Sequence, residues 1–312
     1  MRCLVTGASG HVGAFLTKAL LGRGCEVAVM VRPQSDVWRI ADVLDQVTVI
    51  YGALGDLGNA REALNAWQPV MVFHCAWEGV TGAYRNDPAQ ITRNVAGSLE
   101  LFEAMREAGM TTWVGLGSQA EYGAVEGRLS EELPPKPVTA YGVSKLCLCL
   151  MTEKLCAMTE TRFLWLRLLA AYGPMDDPRH LLPSVINQLL DGERPALTPG
   201  EQRWDYLYIE DAAEAICRLA LETSASGVFN LGSGDALTVR SLVETVRDLI
   251  DPALPLGLGD VPYRPDQVMH LEGDLAKLTT ATGWRPEVTL EEGLLRTLAW
   301  HRDVRAKSVR AS

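Results

Sequence analysis

Tyr141 and Lys145 stand four residues apart in a stretch that reads as helix, so a phenol and an ammonium share one face. A free phenol releases its proton near pH ~10, too high for easy exchange at neutrality. A neighbouring cation favours phenolate and lowers that value. The phenol is then suited to give or take a proton as a carbon–oxygen bond is reduced or oxidised. Ser118, at the end of an apolar run that reads as a strand, adds a hydroxyl that can hydrogen-bond a carbonyl oxygen and steady developing charge. Tyr-x-x-x-Lys is common on surface helices, and Ser118 taken alone could be a loop serine. The three in this order form a candidate catalytic group.

Such chemistry needs a hydride carrier. Thr6-Gly7-Ala8-Ser9-Gly10-His11-Val12-Gly13 follows the first predicted strand and opens a helix. Gly7 and Gly10 permit a tight turn and close approach of phosphate, and Gly13 lets the helix pack near the strand. The helix N-terminus then offers free N–H groups to a pyrophosphate. The segment predicts a nicotinamide dinucleotide held by Gly7, Ser9, Gly10, His11, Val12 and Gly13. The second strand ends Met30-Val31-Arg32-Pro33, with no acid for the ribose hydroxyls. Arg32 can pair with a 2′-phosphate, which favours NADPH over NAD; a solvated surface arginine is the alternative. Asp56-Leu57, after the third strand, is placed to contact adenine or to serve as a turn.

Short, nearly continuous apolar runs position these groups. Arg2–Val5, Glu26–Val31, Val47–Tyr51, Val70–Cys75, Thr112–Leu116, Phe163–Leu169 and Val228–Leu231 read as buried parallel strands. They alternate with helical stretches, which predicts an α/β fold. The expected architecture is a Rossmann-type doubly wound parallel sheet of about seven strands with a smaller C-terminal α/β substrate domain. Residues 1–174 plus about 203–232 are expected to form the dinucleotide-binding domain. About 175–202 plus 233–312 are expected to form the substrate domain. The helix over 140–158 is apolar nearly all round, more than one sheet can cover. A homodimer through the 88–108 and 140–158 helices is expected.

The chain has 312 residues, a net charge of −10 and an apolar fraction of 47%. Its only basic cluster is the short tail from Arg302 to Arg310, so no nucleic-acid partner is expected. No apolar run is long enough to cross a bilayer, and no signal peptide is expected ahead of the first strand. Seven cysteines without a CxxC pair read as reduced thiols of a cytoplasmic protein. The five histidines are scattered, and no metal site is expected.

The chain resembles the extended short-chain dehydrogenase/reductases of the nucleotide-sugar epimerase/dehydratase family over nearly its whole length. The resemblance lies in Thr6–Gly13, Gly55-Asp56-Leu57, His74-Cys75-Ala76, Asn94, Gly117-Ser118 through Tyr122-Gly123, and Tyr141–Lys145. It continues through Tyr172-Gly173-Pro174, Arg203 through Asp211, Asn230-Leu231-Gly232, Arg264-Pro265-Asp266, and Gly283-Trp284-Arg285-Pro286 with Leu290–Leu294. It implies Ser118, Tyr141 and Lys145 as catalytic residues. It places Cys75 and Ala76 beside the cofactor and Lys145 on the nicotinamide ribose. It also implies a nucleotide-diphosphate sugar as substrate, its diphosphate clamped by Arg203 and Arg264, with His180-Leu181 touching the same group. Asn94 is expected to bridge helix and site.

The departures narrow the chemistry. Dehydratases of this family carry an acid pair, or one Glu, directly after the active-site Ser or Thr; here Gln119 and Ala120 stand there. Glu121 is one place late, with its side chain expected to point elsewhere. Trp77 follows His74-Cys75-Ala76 where small residues are commoner, and is either a wall of the sugar pocket or core. Gln119 and Trp77 are therefore counted among substrate-binding candidates. The reading that results is an NADPH-dependent reductase of a nucleotide-linked 4-keto-6-deoxyhexose. A 4-epimerase with tightly held NAD is the alternative. A non-catalytic dinucleotide sensor is disfavoured because the Tyr/Lys pair is kept.

Overall fold

The computed structural model describes residues 1–80, 82–125, 127–264 and 267–311. Thirteen strands are resolved among them: β1 Arg2–Thr6, β2 Glu26–Val31, β3 Thr48–Tyr51, β4 Met71–His74, β5 Thr112–Ser118, β6 Arg162–Leu168, β7 Ala170–Tyr172, β8 Ala196–Leu197, β9 Arg203–Tyr208, β10 Gly227–Leu231, β11 Ala236–Thr238, β12 Gly257–Leu258 and β13 His270–Leu271. The main helices are α1 His11–Gly22, α2 Ala60–Trp67, α3 Ala96–Glu107, α4 Ala140–Met158, α5 Leu181–Leu190, α6 Ile209–Glu222, α7 Val239–Ile250, α8 Ala276–Thr282 and α9 Leu290–Ala311.

Seven strands form one parallel sheet in the order β10-β6-β5-β4-β1-β2-β3. These are the seven apolar runs read from the sequence, and the doubly wound α/β fold is confirmed. One face buries Leu16 and Leu20 of α1 with Ile216 and Leu219 of α6. The other buries Leu64 of α2, Phe102 of α3 and Leu148 of α4. Strand order reverses between β1 and β4, which opens a crevice at their C-terminal ends, the usual ligand position in such sheets.

A second sheet takes the order β11-β9-β13, with β7 paired to β9, and β8 pairs with β12. These strands pack with α5 and α7 around Leu182, Ile186, Leu242 and Val246. The stretch 203–232, expected whole in the dinucleotide-binding domain, is divided. β9 hydrogen-bonds within the small sheet, whereas α6 and β10 belong to the large one. Two- and three-residue strands around β9 left no periodic trace from which its partners could be read.

The expected helix over 88–108 starts with a π-helical turn, Gln90–Val95, before α3. On α4, Ser144, Lys145, Leu148, Cys149, Thr152 and Cys156 face inward, while Val143, Leu150, Met151 and Met158 are exposed. All seven cysteines are free. Among the described residues, no helix is long and apolar enough to cross a membrane.

Candidate functional site

The crevice holds a cavity of about 260 Å³ walled by Gly7, Ser9, Gly10, Arg32, Ser35, Cys75, Ala76 and Trp77. Its floor admits no side chain at two points. A Cβ on Gly7 would lie 2.7 Å from the Ala76 nitrogen, and one on Gly13 would lie 2.2 Å from the Gly7 carbonyl oxygen. The second contact explains the close seating of α1 on the turn. Gly10 is the N-cap of α1 and offers no side-chain cap, so the helix start keeps amide donors for an anion. This cradle fits a dinucleotide pyrophosphate.

The structure brings Gly7, Ser9, Gly10, Arg32, Cys75 and Ala76 onto this wall. Other expected members lie elsewhere. His11 turns away, its Nε2 3.0 Å from the Pro174 carbonyl oxygen and its Nδ1 3.4 Å from Asp176. Leu57 is buried in the core against Leu64 and Ala60, and Asp56 is exposed, its backbone closing a bridge with Ala53. Ala53 and Leu54 occupy the wall instead, because the bridge folds residues 53–56 back on themselves. Ser35 is an addition that sequence reasoning missed; a turn sets its N–H 2.9 Å from the Arg32 carbonyl oxygen.

Trp77 connects the cavity to the catalytic candidates. Its ring stands edge-on to Tyr141 at 6.0 Å between centroids, and the Lys145 Nζ lies 3.9 Å from its centroid. The indole N–H donates to Gln90 Oε1 at 2.7 Å. Gln90 in turn donates to the carbonyls of Gly79 and Tyr84, while Asn94 grips both the N–H and the carbonyl of Glu78. The π-helical turn supplies these side chains and so fixes the loop after β4.

Ser118 and Tyr141 meet because α4 comes very close to the end of β5. Thr139 caps α4 by accepting the Gly142 N–H at 3.1 Å. A Cβ on Gly142 would lie 2.3 Å from the Ala120 carbonyl oxygen, so only glycine allows this approach. Burial raises the Tyr141 phenol above its ordinary value; a hydrogen bond from Ser118 and the charge of Arg85 pull it back, and Glu121 opposes them. Burial lowers Lys145 to about 8, against the pull of Glu121 and Cys75. The ammonium donates to the Leu116 carbonyl oxygen at 2.6 Å.

Glu121, one residue later than the dehydratase acids, is turned into the core. It is fully buried, accepts the Ser118 N–H at 2.9 Å and the Trp165 indole N–H at 3.0 Å, and pairs with Arg167 at 2.8 Å. Gln119 follows Ser118 at the start of a single 3-10 turn, half-buried.

A second hollow, also of about 260 Å³, lies in the smaller unit, lined by Leu181, Thr198, Gln202, Trp204, Tyr206 and Arg264 among others. Arg264 also approaches the loop after β4: a Cβ on Gly82 would be 3.9 Å from its Nη1. Arg203 does not join it. Successive strand residues face opposite sides, so Trp204 and Tyr206 line the hollow while exposed Arg203 donates to the Ala236 carbonyl. The expected clamp of two arginines is therefore split. His180 immediately precedes α5 beside Leu181 without capping it through its side chain, and its Nδ1 meets Asp176 at 2.9 Å. Pro265 and Asp266 lie outside the described residues.

Residues 3–232 match the model of the NAD dependent epimerase/dehydratase family. The chain is 29% identical to UDP-glucose 4-epimerase of Corynebacterium glutamicum, covering 93% of this chain and 92% of that one. It is 28% identical to GDP-6-deoxy-D-mannose reductase of Pseudomonas aeruginosa, covering 97% and 98%. Its fold matches that of the UDP-glucose 4-epimerase of Thermus thermophilus in complex with NAD, with a TM-score of 0.86 at 27% identity over 97% and 99% of the two chains.

Proposed function

The chain belongs to the NAD dependent epimerase/dehydratase family, and on that premise we propose that it is an NADPH-dependent reductase of a nucleotide-linked 4-keto-6-deoxyhexose. It is an NAD(P)-dependent enzyme of the extended short-chain dehydrogenase/reductase type. Arg32 on the cavity wall supports the choice of NADPH, and the commitment of Glu121 turns the reading away from dehydration. Removing water across a sugar needs a carboxylate beside the hydroxyl that faces substrate. Glu121 is instead sealed in an ion pair with Arg167.

The chain's own residues then do three things. Tyr141 gives a proton to the carbonyl oxygen as it becomes a hydroxyl. Ser118 hydrogen-bonds that oxygen and lowers the cost of its developing charge. Lys145 holds the nicotinamide ribose, and Arg32 with Ser35 receives the 2′-phosphate. Arg32 pairs with Glu78 at 2.7 Å, but both are about half-exposed, and such a pair is weak enough to yield to a phosphate. The bound nicotinamide supplies the hydride. Arg264, Leu181 and His180 hold the nucleotide diphosphate.

The 4-epimerase reading, which uses the same proton donor and acceptor, is favoured by the names of the Corynebacterium and Thermus relatives. The purified protein decides between them. Consumption of NADPH with a nucleotide 4-keto sugar supports the reductase; NAD retained through purification overturns it. In the same assay Tyr141→Phe is expected to lose about 10²-fold or more in turnover while keeping cofactor affinity.

Two copies pairing through α4 and the 88–108 segment are part of this reading. Leu150 and Met158 are 56% and 68% exposed on the outer face of α4, one helical stripe with Val143 and Met151. Light scattering at micromolar concentration is expected to give a dimer; a monodisperse monomer refutes it.

A further inference from the structure

We propose that Arg85, rather than Lys145 alone, is the cation that readies the Tyr141 phenol for proton transfer. The inference rests on the reading of Tyr141 as the proton donor and names the residue that sets its acidity. Arg85 acts through Tyr141 and is a positioning residue.

Two observations carry it. First, the Lys145 ammonium is directed at the Leu116 carbonyl, to which it donates, and at the face of the Trp77 indole. Second, the Arg85 guanidinium carbon lies 5.2 Å from the Tyr141 ring centroid. Its Nε is buried without a hydrogen-bond partner, and among the described residues no carboxylate pairs with it. An unpaired guanidinium nitrogen is costly to bury, so its place over the phenol calls for a reason.

The backbone fixes the same relationship. The Tyr141 N–H donates to the Arg85 carbonyl at 2.8 Å, and the Ala140 N–H donates to Asn86 Oδ1 at 3.0 Å. The loop after β4 is thus tied to the first turn of α4. The Tyr141 ring is faced by Arg85 and Trp77 from the segment after β4; Ser118 at the end of β5 hydrogen-bonds the phenol, and Glu121 acts on it through charge alone. Lys145 lies one turn along α4, acted on by Glu121 and Cys75. Glu121, the one opposing charge at the phenol, is itself neutralised by Arg167. Arg85 is left as the cation that favours phenolate there.

The test is the ultraviolet difference titration of Tyr141, read as the protein minus its Tyr141→Phe counterpart, in wild type, Arg85→Ala, Arg85→Gln and Arg85→Lys. It uses no substrate, so its outcome is independent of whether any keto sugar is reduced. Arg85→Ala is expected to move the phenol's titration upward by about one pH unit, a tenfold loss of phenolate at fixed pH. Arg85→Gln removes the charge with less loss of volume and takes its place if Arg85→Ala does not fold. Arg85→Lys, which keeps the charge, is expected to stay closer to wild type. An unchanged titration in the two uncharged variants, or a shift in Arg85→Lys as large as theirs, overturns the proposal. In turnover, reduction needs protonated phenol, so the alkaline limb of kcat moves up in Arg85→Ala. A rise in KM for sugar with no change in the pH profile also overturns it, because Arg85 would then be contacting substrate instead.

Discussion

The Lys145 ammonium lies 3.9 Å from the centroid of the Trp77 indole, while burial holds its pKa near 8. The ring face favours the charged form by about 1–2 kcal/mol in a desolvated setting. Trp77→Leu, which keeps an apolar wall, is therefore expected to let Lys145 lose its proton about one pH unit lower. Affinity for NADPH, measured from neutral pH upward, should fall off earlier than in wild type. Superimposable profiles would show that the indole only lines the cavity.

His74 is fully enclosed between Thr6 Oγ1 and Ser98 Oγ, each 2.8 Å from a ring nitrogen, and burial lowers its pKa to about 3. The unfolded chain takes up this proton near pH 6.5, and the folded chain does not. Stability is therefore full above that value and is lost as pH falls toward 3. The limiting slope is about 1.4 kcal/mol per pH unit. His74→Asn should flatten the fall in Tm between neutral and mildly acid pH by about one proton's worth. Burial lowers His301 and His11 as well, so some slope remains.

Arg167 and Glu121 are paired at 2.8 Å beneath the site, and the Tyr122 ring lies 4.4 Å from the guanidinium carbon. Glu121→Gln removes one charge and strands the other. The expected loss is about 3–5 kcal/mol in denaturant unfolding. Replacing both partners with leucine should recover a large part of it. A single variant as stable as wild type would mean that water reaches Arg167.

Arg264 lines the hollow of the smaller unit, and Arg203 faces the other side of β9. Arg264→Ala is expected to raise KM for the nucleotide sugar about 10- to 100-fold, the worth of a charge-assisted hydrogen bond. Arg203→Ala should stay within about twofold, the ordinary effect of a surface change. Equal effects would restore the two-arginine clamp.

Much of the large sheet was legible because parallel strands buried on both faces are written as continuous apolar runs. Arg2–Thr6 and Met71–His74 could be located on that ground alone, and the glycine turn between β1 and α1 carried its own geometry. The small sheet was not legible. Ala196–Leu197 and His270–Leu271 are too short to show a period, so the neighbours of β9 could not be named.

The candidate site divides along the same line. Residue type and order pointed to the proposed chemistry: the hydroxyl, phenol and ammonium at 118, 141 and 145, and the absence of an acid at 119 and 120. Tertiary structure decided which charges reach one another. Arg85 lies far ahead of Tyr141 in the chain and over its ring in space. A single step along β9 turned Arg203 away from the hollow that Trp204 lines. Spacing can place two side chains on one face of one element. Coulomb forces and strand faces depend on distances between elements, and those are set only when the sheet and its helices pack.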